Sequence, residues 1–409
     1  MKKGGVVLIC RILWSAGTAK VSAEQCQYLN AAGMACHLDY IRAGPNSAAY
    51  TSYLRGVDYN IIRRGSSALK PLWAFATNVA HGVPEKGVFP LEGGLDLDSI
   101  FVAALHVARH RPDVILCSDQ FSGIVAYLVH RMCRTPYVVY LQEGIYEDPD
   151  RTMSHLPAAG RNRIRRLARS LDGRVLGHAA EVLGITQGSL DSVRRSGYSV
   201  PGSVVFLGAP SPPVKRVDQP REPLVLSVAT WDKGRYPEIY LDIGRRLKNC
   251  KLVIAGMWRY GYQDEERRFR EEIVKEHLSD RVVVTGKIDQ DQLESYYGRA
   301  KVFLRLGIDE VGVGGGCLDA LSWGIPIVTN RQLGISDILV DGVNGRVFDA
   351  IDTAKIARAI DDLVTDTRTY EAIREAALAT ARQYTWERHA ELLREHLQRA
   401  MKTSCSSCG

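Results

Sequence analysis

Short apolar runs alternate with amphipathic segments along the first half of this chain. Runs that predict buried strands lie at residues 6–10, 113–119, 137–142 and 181–186. Between them, apolar residues at spacings of three and four predict helices at 19–32, 97–110 and 122–133. Continuously apolar strands joined by helical crossovers are typical of parallel sheets that are buried on both faces. The first half is therefore predicted to be a doubly wound α/β domain.

The same alternation begins again after a proline-rich stretch. GAPSPPVKRVDQPREP holds five prolines in sixteen residues, a composition typical of a stiff domain linker. Further apolar runs predict a second set of strands at 224–229, 251–256, 281–286, 301–306 and 325–330. We expect two doubly wound Rossmann-like domains, at 1–208 and 223–384, joined by a linker at 209–222. A cleft between two such domains is the expected active site.

Length, charge and cysteine content narrow the class of protein. A chain of 409 residues exceeds what one hydrophobic core usually supports. Its net charge of +7 suggests acidic ligands or an anionic surface, while basic and aromatic residues do not interleave as nucleic-acid binding would require. The nine cysteines share no metal-ligand spacing, which favours reduced thiols in a cytoplasmic protein. Since no apolar run approaches the roughly 18 residues of a membrane span, none is expected.

A glycine-rich loop precedes a short acidic helix in the second half. Gly312, Gly314, Gly315 and Gly316 allow the backbone to come close to a ligand, and the following helix would point its N–H groups at a phosphate. Asp319, just inside that helix, can accept hydrogen bonds from sugar hydroxyls. This order predicts a nucleotide pocket. A tight strand-to-helix turn would also explain the glycines.

Several segments, in this order, resemble the retaining nucleotide-sugar glycosyltransferases of the GT-B fold, in particular glycosyltransferase family 4. They are SVATWDKGRYPEIYLDIGRRL, KLVIAGMW, VVVTGKIDQDQLESYYGRAKVFLRL and LDALSWGIPIVTNRQLGISDILVDGVNGRVFD, with weaker matches such as RPDVILCSD in the first half. The closing YTWERHAELLREHL resembles the last helix of such enzymes, which implies a helix at 385–401 crossing back to the first domain and a tail at 402–409. The resemblance implies transfer of a sugar from a nucleotide diphosphate-sugar to an acceptor hydroxyl, with retention at the anomeric carbon.

The resemblance also implies a cation for the donor diphosphate, after the first strand of the second domain. Lys233 or Arg235 stands at that place. Alignment on Lys-Gly selects Lys233, whereas alignment on Pro237 selects Arg235, and a solvated loop is the alternative to either. The second cation that the family often has a few residues earlier is replaced here by Ala-Thr-Trp at 229–231.

Members of the family carry two glutamates separated by seven residues, which contact the donor sugar and the donor ribose. Asp319 stands at the second position and would fix the ribose. Glu310, with Asp309 beside it, is the expected first residue and would orient the sugar, although eight residues separate it from Asp319. The alternatives are a first-turn helix carboxylate for Asp319 and a plain loop charge for Glu310.

In the first domain, the family usually presents a histidine after the strand at 137–142. Gln142 and Glu143 occupy that place here, and Glu143 could take the acceptor proton, while a capping role is the alternative. Gly17 and Thr18, between the first strand and first helix, match the loop that approaches the donor phosphates or the acceptor. The acceptor itself is not identified, and a lipid-linked or glycan acceptor would be selected by residues 45–90.

Neither a metal nor another cofactor is expected, since the nucleotide-sugar is a co-substrate. His106 and His110 are spaced as i and i+4 on a predicted helix, yet they lack the HExxH pattern of a metal site. RNRIRRLARSLDGR, from Arg161 to Arg174, is a basic amphipathic segment that could rest on the inner face of an anionic membrane. The alternative is that its apolar stripe packs on its own sheet.

Two other functions fit parts of the pattern. A sugar-nucleotide epimerase could use the same fold. A nucleotide-sugar-binding protein without turnover would account for the longer acidic spacing and for the missing histidine and second cation. Product analysis separates the epimerase from a transferase, and binding without release of nucleotide would identify the binding protein.

Overall fold

The computed structural model describes residues 5–13, 17–43, 52–63, 97–145, 158–211, 220–258, 262–308 and 310–406. The side chains of 52, 63, 97, 159–161, 163–165, 167–168, 233 and 404–406 lie outside this description. The chain divides into two units, one formed by Met1–Phe206 with Trp386–Gly409 and the other by Leu207–Thr385. Each unit has its own parallel sheet and its own core.

The first unit is built on a parallel sheet that has seven strands among the described residues, in the order β3-β2-β1-β4-β5-β6-β7. Its strands are β1 (Val6–Leu13), β2 (Cys36–Ala43), β3 (Tyr59–Arg63), β4 (Val114–Cys117), β5 (Tyr137–Leu141), β6 (Glu181–Gly184) and β7 (Gly202–Val204). Its helices are α1 (Thr18–Ala31), α2 (Leu97–His110), α3 (Ser122–Cys133), α4 (Ala158–Gly177) and α5 (Gln187–Arg195). Apolar side chains of these strands and helices form one buried core.

The second unit repeats this plan with six described strands, in the order β10-β9-β8-β11-β12-β13. Its strands are β8 (Glu222–Val228), β9 (Lys251–Ala255), β10 (Val282–Gly286), β11 (Ala300–Leu304), β12 (Ile327–Asn330) and β13 (Gly345–Phe348). Its helices are α6 (Pro237–Arg246), α7 (Gln263–Lys275), α8 (Gln290–Arg299), α9 (Gly316–Ser322), α10 (Thr353–Thr365) and α11 (Thr367–Gln383). Trp231, Tyr240 and Trp258 are buried in its core.

The strands and helices predicted from apolar periodicity are all present, with ends that differ by a few residues. Four strands were not predicted: β2, β3, β7 and β13. β2 has the sequence CHLDYIRA, and its buried His37 and Asp39 interrupt the apolar run that marks the other strands. β7 (GSV) and β13 (GRVF) contain, apart from glycine, only one and two apolar residues, which is too few for an apolar run.

Strand order locates the place in each unit where a ligand would bind. In both sheets the order reverses beside the first strand, between β1 and β4 in the first unit and between β8 and β11 in the second. Ligands of doubly wound sheets bind at this switch point, beyond the carboxyl ends of the strands. The residues that follow β1, β4, β8 and β11 are therefore the first candidates for a site.

The C-terminal helix α12 (Trp386–Ser406) packs within the first unit and extends past the predicted end at 401. His389 joins it to the rest of that unit: Nδ1 donates to the Phe206 carbonyl at 2.8 Å, and Gln25 Nε2 donates to its Nε2 at 3.1 Å. The rings of Tyr28 and Trp386 stack beside it, with centroids 6.0 Å apart. Among the described residues, no helix has both the length and the apolar character needed to cross a bilayer.

The buried imidazole of His389 predicts a pH-dependent stability. Burial lowers the pKa of His389 from 6.5 to about 4, so the neutral ring stabilises the fold above pH 6.5 and this stabilisation is lost as the pH falls towards 4. The loss amounts to about 3 kcal/mol at most. Urea unfolding between pH 7 and pH 4 should show a smaller pH dependence in His389→Gln than in the wild-type protein. His178→Gln, at an exposed histidine, serves as control, and an equal slope in His389→Gln would contradict the assignment.

Candidate functional site

Three charged side chains meet at the switch point of the second unit. Arg235 lies in a short 3-10 turn that follows β8 and precedes α6, whereas Arg305 and Glu310 follow β11. Arg305 Nη2 donates to both carboxylate oxygens of Glu310, at 2.9 and 2.8 Å. Arg235 Nη1 forms an ion pair with the same carboxylate. We call Arg235, Glu310 and Arg305 the charged triad.

The triad has a buried end and an open end. The side chain of Arg305 is 3% exposed, whereas those of Arg235 and Glu310 are 23% and 16% exposed. Burial lowers the pKa of Arg305, but the Glu310 carboxylate, Tyr240 and Cys317 together raise it by more, so its pKa lies above the ordinary value and the guanidinium stays charged. Two cations share one carboxylate, and the triad therefore carries a net positive charge.

Hydrogen bonds fix the chain on both sides of Arg305. The Asn330 side chain accepts from the Gly307 N–H at 2.9 Å and donates to the Gly307 carbonyl at 2.7 Å. The Tyr240 hydroxyl accepts from the Leu306 N–H at 2.9 Å. Since Asn330, Tyr240 and Arg305 are all buried, the core fixes the segment that carries Arg305 and Glu310.

The glycine loop lies directly after the triad in sequence. Gly314 has a φ of 75°, and a Cβ there would be 3.4 Å from Arg305 Cγ. A Cβ on Gly316 would lie 2.8 Å from both Phe303 Cζ and Tyr297 Oη, whereas one on Gly315 would have nothing within 4 Å. Packing and conformation thus require glycine at 314 and 316, while Gly315 exposes its backbone to open space.

Asp319 lies in the first turn of α9, and its side chain is partly buried. It is close to Tyr297, whose pKa is raised mainly by burial and further by the Asp319 carboxylate. The Tyr297 hydroxyl donates to the Gly316 carbonyl at 3.2 Å. The structure thus places Asp319 beside the glycine loop. Within residues 229–231, where the resemblance led us to expect a second cation, Trp231 is buried and packs edge-on against Tyr240, with ring centroids 4.9 Å apart.

A second group of polar side chains lines a small pocket of about 30 Å³ at the switch point of the first unit. The lining residues are Arg11, Thr18, Ser118, Asp119, Gln120, Phe121, Gln142, Glu143 and Gly144. Three of the residues singled out in the sequence, Thr18, Gln142 and Glu143, are therefore brought together. Gly17, next to Thr18, has a φ of 63° and space around the position of a Cβ.

Gln142 and Arg11 are two of the hydrogen-bond donors that line this pocket. Gln142 is 8% exposed, and among the described residues its Nε2 has no hydrogen-bond partner. Arg11 pairs with Asp119 at 3.2 Å and lies over the Phe121 ring, 4.8 Å from its centroid. Buried amide groups are normally hydrogen-bonded, so a hydroxyl or carbonyl oxygen of a ligand would accept the unused hydrogen bond of Gln142 Nε2.

Arg305, Arg11 and Asp119 were not singled out from the sequence. Arg305 and Arg11 lie within or directly after runs of apolar residues, where a single arginine looks like the end of a strand. The available signal was their position, because a charge at the carboxyl end of a central strand faces the ligand edge of the sheet. Asp119 follows β4 in the same way.

Some predicted residues lie outside the description. These are the side chain of Lys233, Asp309, residues 45–51 and 64–90 of the expected acceptor region, and the side chains of Arg161, Arg163 and Arg165. On the described part of α4, Arg166, Arg169 and Arg174 are exposed. Asp172 is buried on the same helix, and burial raises its pKa to about 7. Contact of this helix with an anionic membrane stays a prediction.

No group of three or more histidine, cysteine, aspartate or glutamate side chains in the described ranges is arranged to hold a metal ion. The rings of His106 and His110 lie 4.7 Å apart, and His106 Nε2 lies 3.7 Å from the buried carboxylate of Asp39. The expectation that the reaction requires no metal stays a prediction.

Comparison with known proteins relates both units to one group of enzymes. The family model described as "Glycosyl transferases group 1" matches residues 214–380, and the one described as "Glycosyl transferase 4-like domain" matches residues 17–209. The chain is 30% identical over 138 residues to the GDP-mannose-dependent alpha-(1-6)-phosphatidylinositol monomannoside mannosyltransferase of Mycolicibacterium smegmatis. This match covers 32% of the chain and 35% of that relative.

Solved structures match over nearly the whole chain. Sucrose-phosphate synthase from Thermosynechococcus elongatus is 17% identical with a TM-score of 0.74, covering 98% of this chain and 100% of that one. Anabaena HepE in complex with UDP and glucose is 15% identical with a TM-score of 0.71, covering 97% and 99%. At these identities the likeness shows the fold, and it confirms the predicted class of two doubly wound α/β domains. The two family models together match most of the sequence, and the chain belongs to the GT-B glycosyltransferases that resemble family 4.

Proposed function

We propose that this protein transfers a sugar from a nucleotide diphosphate-sugar to an acceptor hydroxyl, with retention at the anomeric carbon. The observation that carries the proposal is the charged triad beside the glycine loop, at the switch point of the second unit. A positively charged group at this edge of a doubly wound sheet suits a bound diphosphate. Solved structures of HepE with UDP and with UDP-glucose, on the same fold, support a nucleotide-sugar as donor.

Each residue of the second unit would have a separate task. Arg235 would stabilise the departing diphosphate, and Lys233 stays the alternative for this role. The open backbone at Gly315 would let the phosphates approach the loop, and Gly314 and Gly316 would shape it. Asp319 would accept from the ribose hydroxyls, and Glu310 would orient the sugar. Electrostatic stabilisation of the leaving group is the chemistry that such an arrangement supplies.

The polar pocket of the first unit would serve the transferred group or its acceptor. Gln142 would donate to a hydroxyl, and Glu143 would take the acceptor proton. A lipid-linked or glycan acceptor remains our proposal. It is supported by the name of the mycobacterial relative, whose acceptor is a phosphatidylinositol mannoside.

One observation favours a second function, a nucleotide-sugar-binding protein without turnover. The segment where many relatives have a second cation holds Ala229, Thr230 and Trp231, and Trp231 is buried and faces the core. With one cation fewer, the site would stabilise the leaving diphosphate less well. The spacing of eight residues between Glu310 and Asp319, in place of seven, also favours a binding protein without turnover. A sugar-nucleotide epimerase has no such support and is separated by its product.

A panel of UDP-, GDP-, ADP- and dTDP-sugars tests the proposal, with release of nucleoside diphosphate as the signal. We expect release from at least one donor, and at least a tenfold lower rate in Asp319→Ala, because the ribose contact is lost. Asp349→Ala, at an exposed carboxylate of the same unit that pairs with Arg331, should retain the wild-type rate. Binding without release, with and without candidate acceptors, would favour the second function. Nuclear magnetic resonance of the product determines the anomeric configuration.

A further inference from the structure

We propose that Arg235 exchanges partners: it releases Glu310 when a donor diphosphate binds, while Arg305 holds the Glu310 carboxylate throughout. The inference rests on the proposed function and assigns Arg305 as a positioning residue for that site. It follows from the unequal way in which the two arginines are held within the charged triad.

Arg305 is fixed by contacts on all sides. In addition to Glu310, it donates through Nη1 to the Leu306 carbonyl at 2.5 Å and contacts the Tyr240 hydroxyl at 3.4 Å. Its Cγ lies beneath the glycine loop, 3.4 Å from where a Cβ of Gly314 would be. Because this side chain is buried and its donors have partners, moving it would disturb both the loop and the core. Arg305 therefore keeps the carboxylate in one place.

Arg235 is held much less firmly. It lies in the short turn before α6, its side chain is 23% exposed, and its ion-pair partner in the described part of the unit is Glu310. A guanidinium has five N–H donors, and the recorded contact uses Nη1. A diphosphate carries more negative charge than a carboxylate and accepts from the same planar fork. Arg235 can thus turn to the diphosphate at the cost of one partly exposed ion pair.

The exchange would link donor binding to the state of Glu310. Once Arg235 has turned away, the Glu310 oxygen that it contacted can accept from a sugar hydroxyl, while Arg305 still holds the carboxylate. Without Arg305, Glu310 would pair with Arg235 alone and would compete more strongly against the diphosphate. Removal of Glu310 and removal of Arg305 should therefore change diphosphate affinity in opposite directions.

Calorimetric titration of UDP and GDP into purified variants tests the exchange. Glu310→Gln should bind the nucleoside diphosphate about 3–10-fold more tightly than the wild-type protein, yet release it from donor at least tenfold more slowly. Arg305→Met should bind it several-fold more weakly, and Arg305→Lys, which restores the charge, should recover part of the affinity. Circular dichroism and thermal unfolding establish whether each variant is folded. If Arg305→Met is not folded, Arg305→Lys, which is the smaller change, takes its place in the comparison.

A double-variant cycle separates exchange from a simple change in net charge. In the Arg235→Met background, Glu310→Gln should no longer improve affinity, because no arginine remains to be released. Arg245→Met removes a comparable Arg–Glu pair, Arg245 with Glu276, from the surface of the same unit, and should leave affinity unchanged. An undiminished gain in the double variant, or no gain in Glu310→Gln, would overturn the exchange. If the wild-type protein bound no nucleoside diphosphate, the proposed function itself would fall.

Discussion

Replacement of Arg235 by alanine is expected to lower kcat/KM for the donor by about 10²–10³-fold, the usual loss when one preorganised group is removed from a developing negative charge. Arg235 lies at the switch point of the second sheet, and its guanidinium contacts Glu310 at the ligand edge. Lys233 precedes it in the same turn, and we expect Lys233→Ala to cost about tenfold or less. The sequence alone leaves the two residues equivalent, whereas the charged triad favours Arg235.

Release of nucleoside diphosphate from the donor selected in the panel measures this difference. Arg331→Ala, at an exposed arginine paired with Asp349, controls for the loss of a positive charge elsewhere in the unit. If Lys233→Ala were the more damaging change, alignment on Lys-Gly would be correct and Arg235 would be a partner of Glu310 only.

The neighbouring glycines Gly315 and Gly316 should respond to the same substitution in different ways. Gly316→Ala places a methyl group 2.8 Å from Phe303 Cζ and Tyr297 Oη, and overpacking of this kind costs about 1–3 kcal/mol. Gly315→Ala meets nothing within 4 Å, so we expect little change in stability. If donor phosphates approach the loop here, the added methyl group should weaken donor binding by about tenfold.

Thermal unfolding and nucleotide titration of both variants provide the comparison. Gly316→Ala should unfold at a lower temperature than the wild-type protein. Gly315→Ala should unfold at the wild-type temperature and bind nucleoside diphosphate less tightly. Wild-type affinity in a folded Gly315→Ala variant would remove the glycine loop from the donor site and leave it as a strand-to-helix turn.

The fold could be predicted from the sequence wherever the buried residues are apolar. β1, β4 and β5 consist mainly of valine, isoleucine, leucine, tyrosine and cysteine, and apolar runs of that length favour buried strands. β2 could not be found in this way, because its buried Asp39 accompanies His37 and His106 instead of apolar neighbours. The burial of Asp39 depends on its partners in the tertiary structure, and the periodicity of the local sequence does not reveal them.

Only part of the candidate site could be predicted from the sequence. Arg235, as an alternative to Lys233, and Glu310 were singled out through the resemblance to family 4, and Asp319 through the glycine-rich segment that precedes it. Arg305 was missed, since its role depends on Glu310 five residues later and on Tyr240 in helix α6. That convergence follows from the order of the strands, and the sequence shows the partners only as separate residues.

The most direct test of the account is calorimetric titration of UDP and GDP into the wild-type protein and into Arg235→Ala, with Arg245→Ala as control. The account predicts that the wild-type protein and Arg245→Ala bind at least one of the two with equal affinity, and that Arg235→Ala binds it at least tenfold more weakly. Absence of binding to the wild-type protein, or equal affinity in Arg235→Ala, would contradict a donor site at the charged triad.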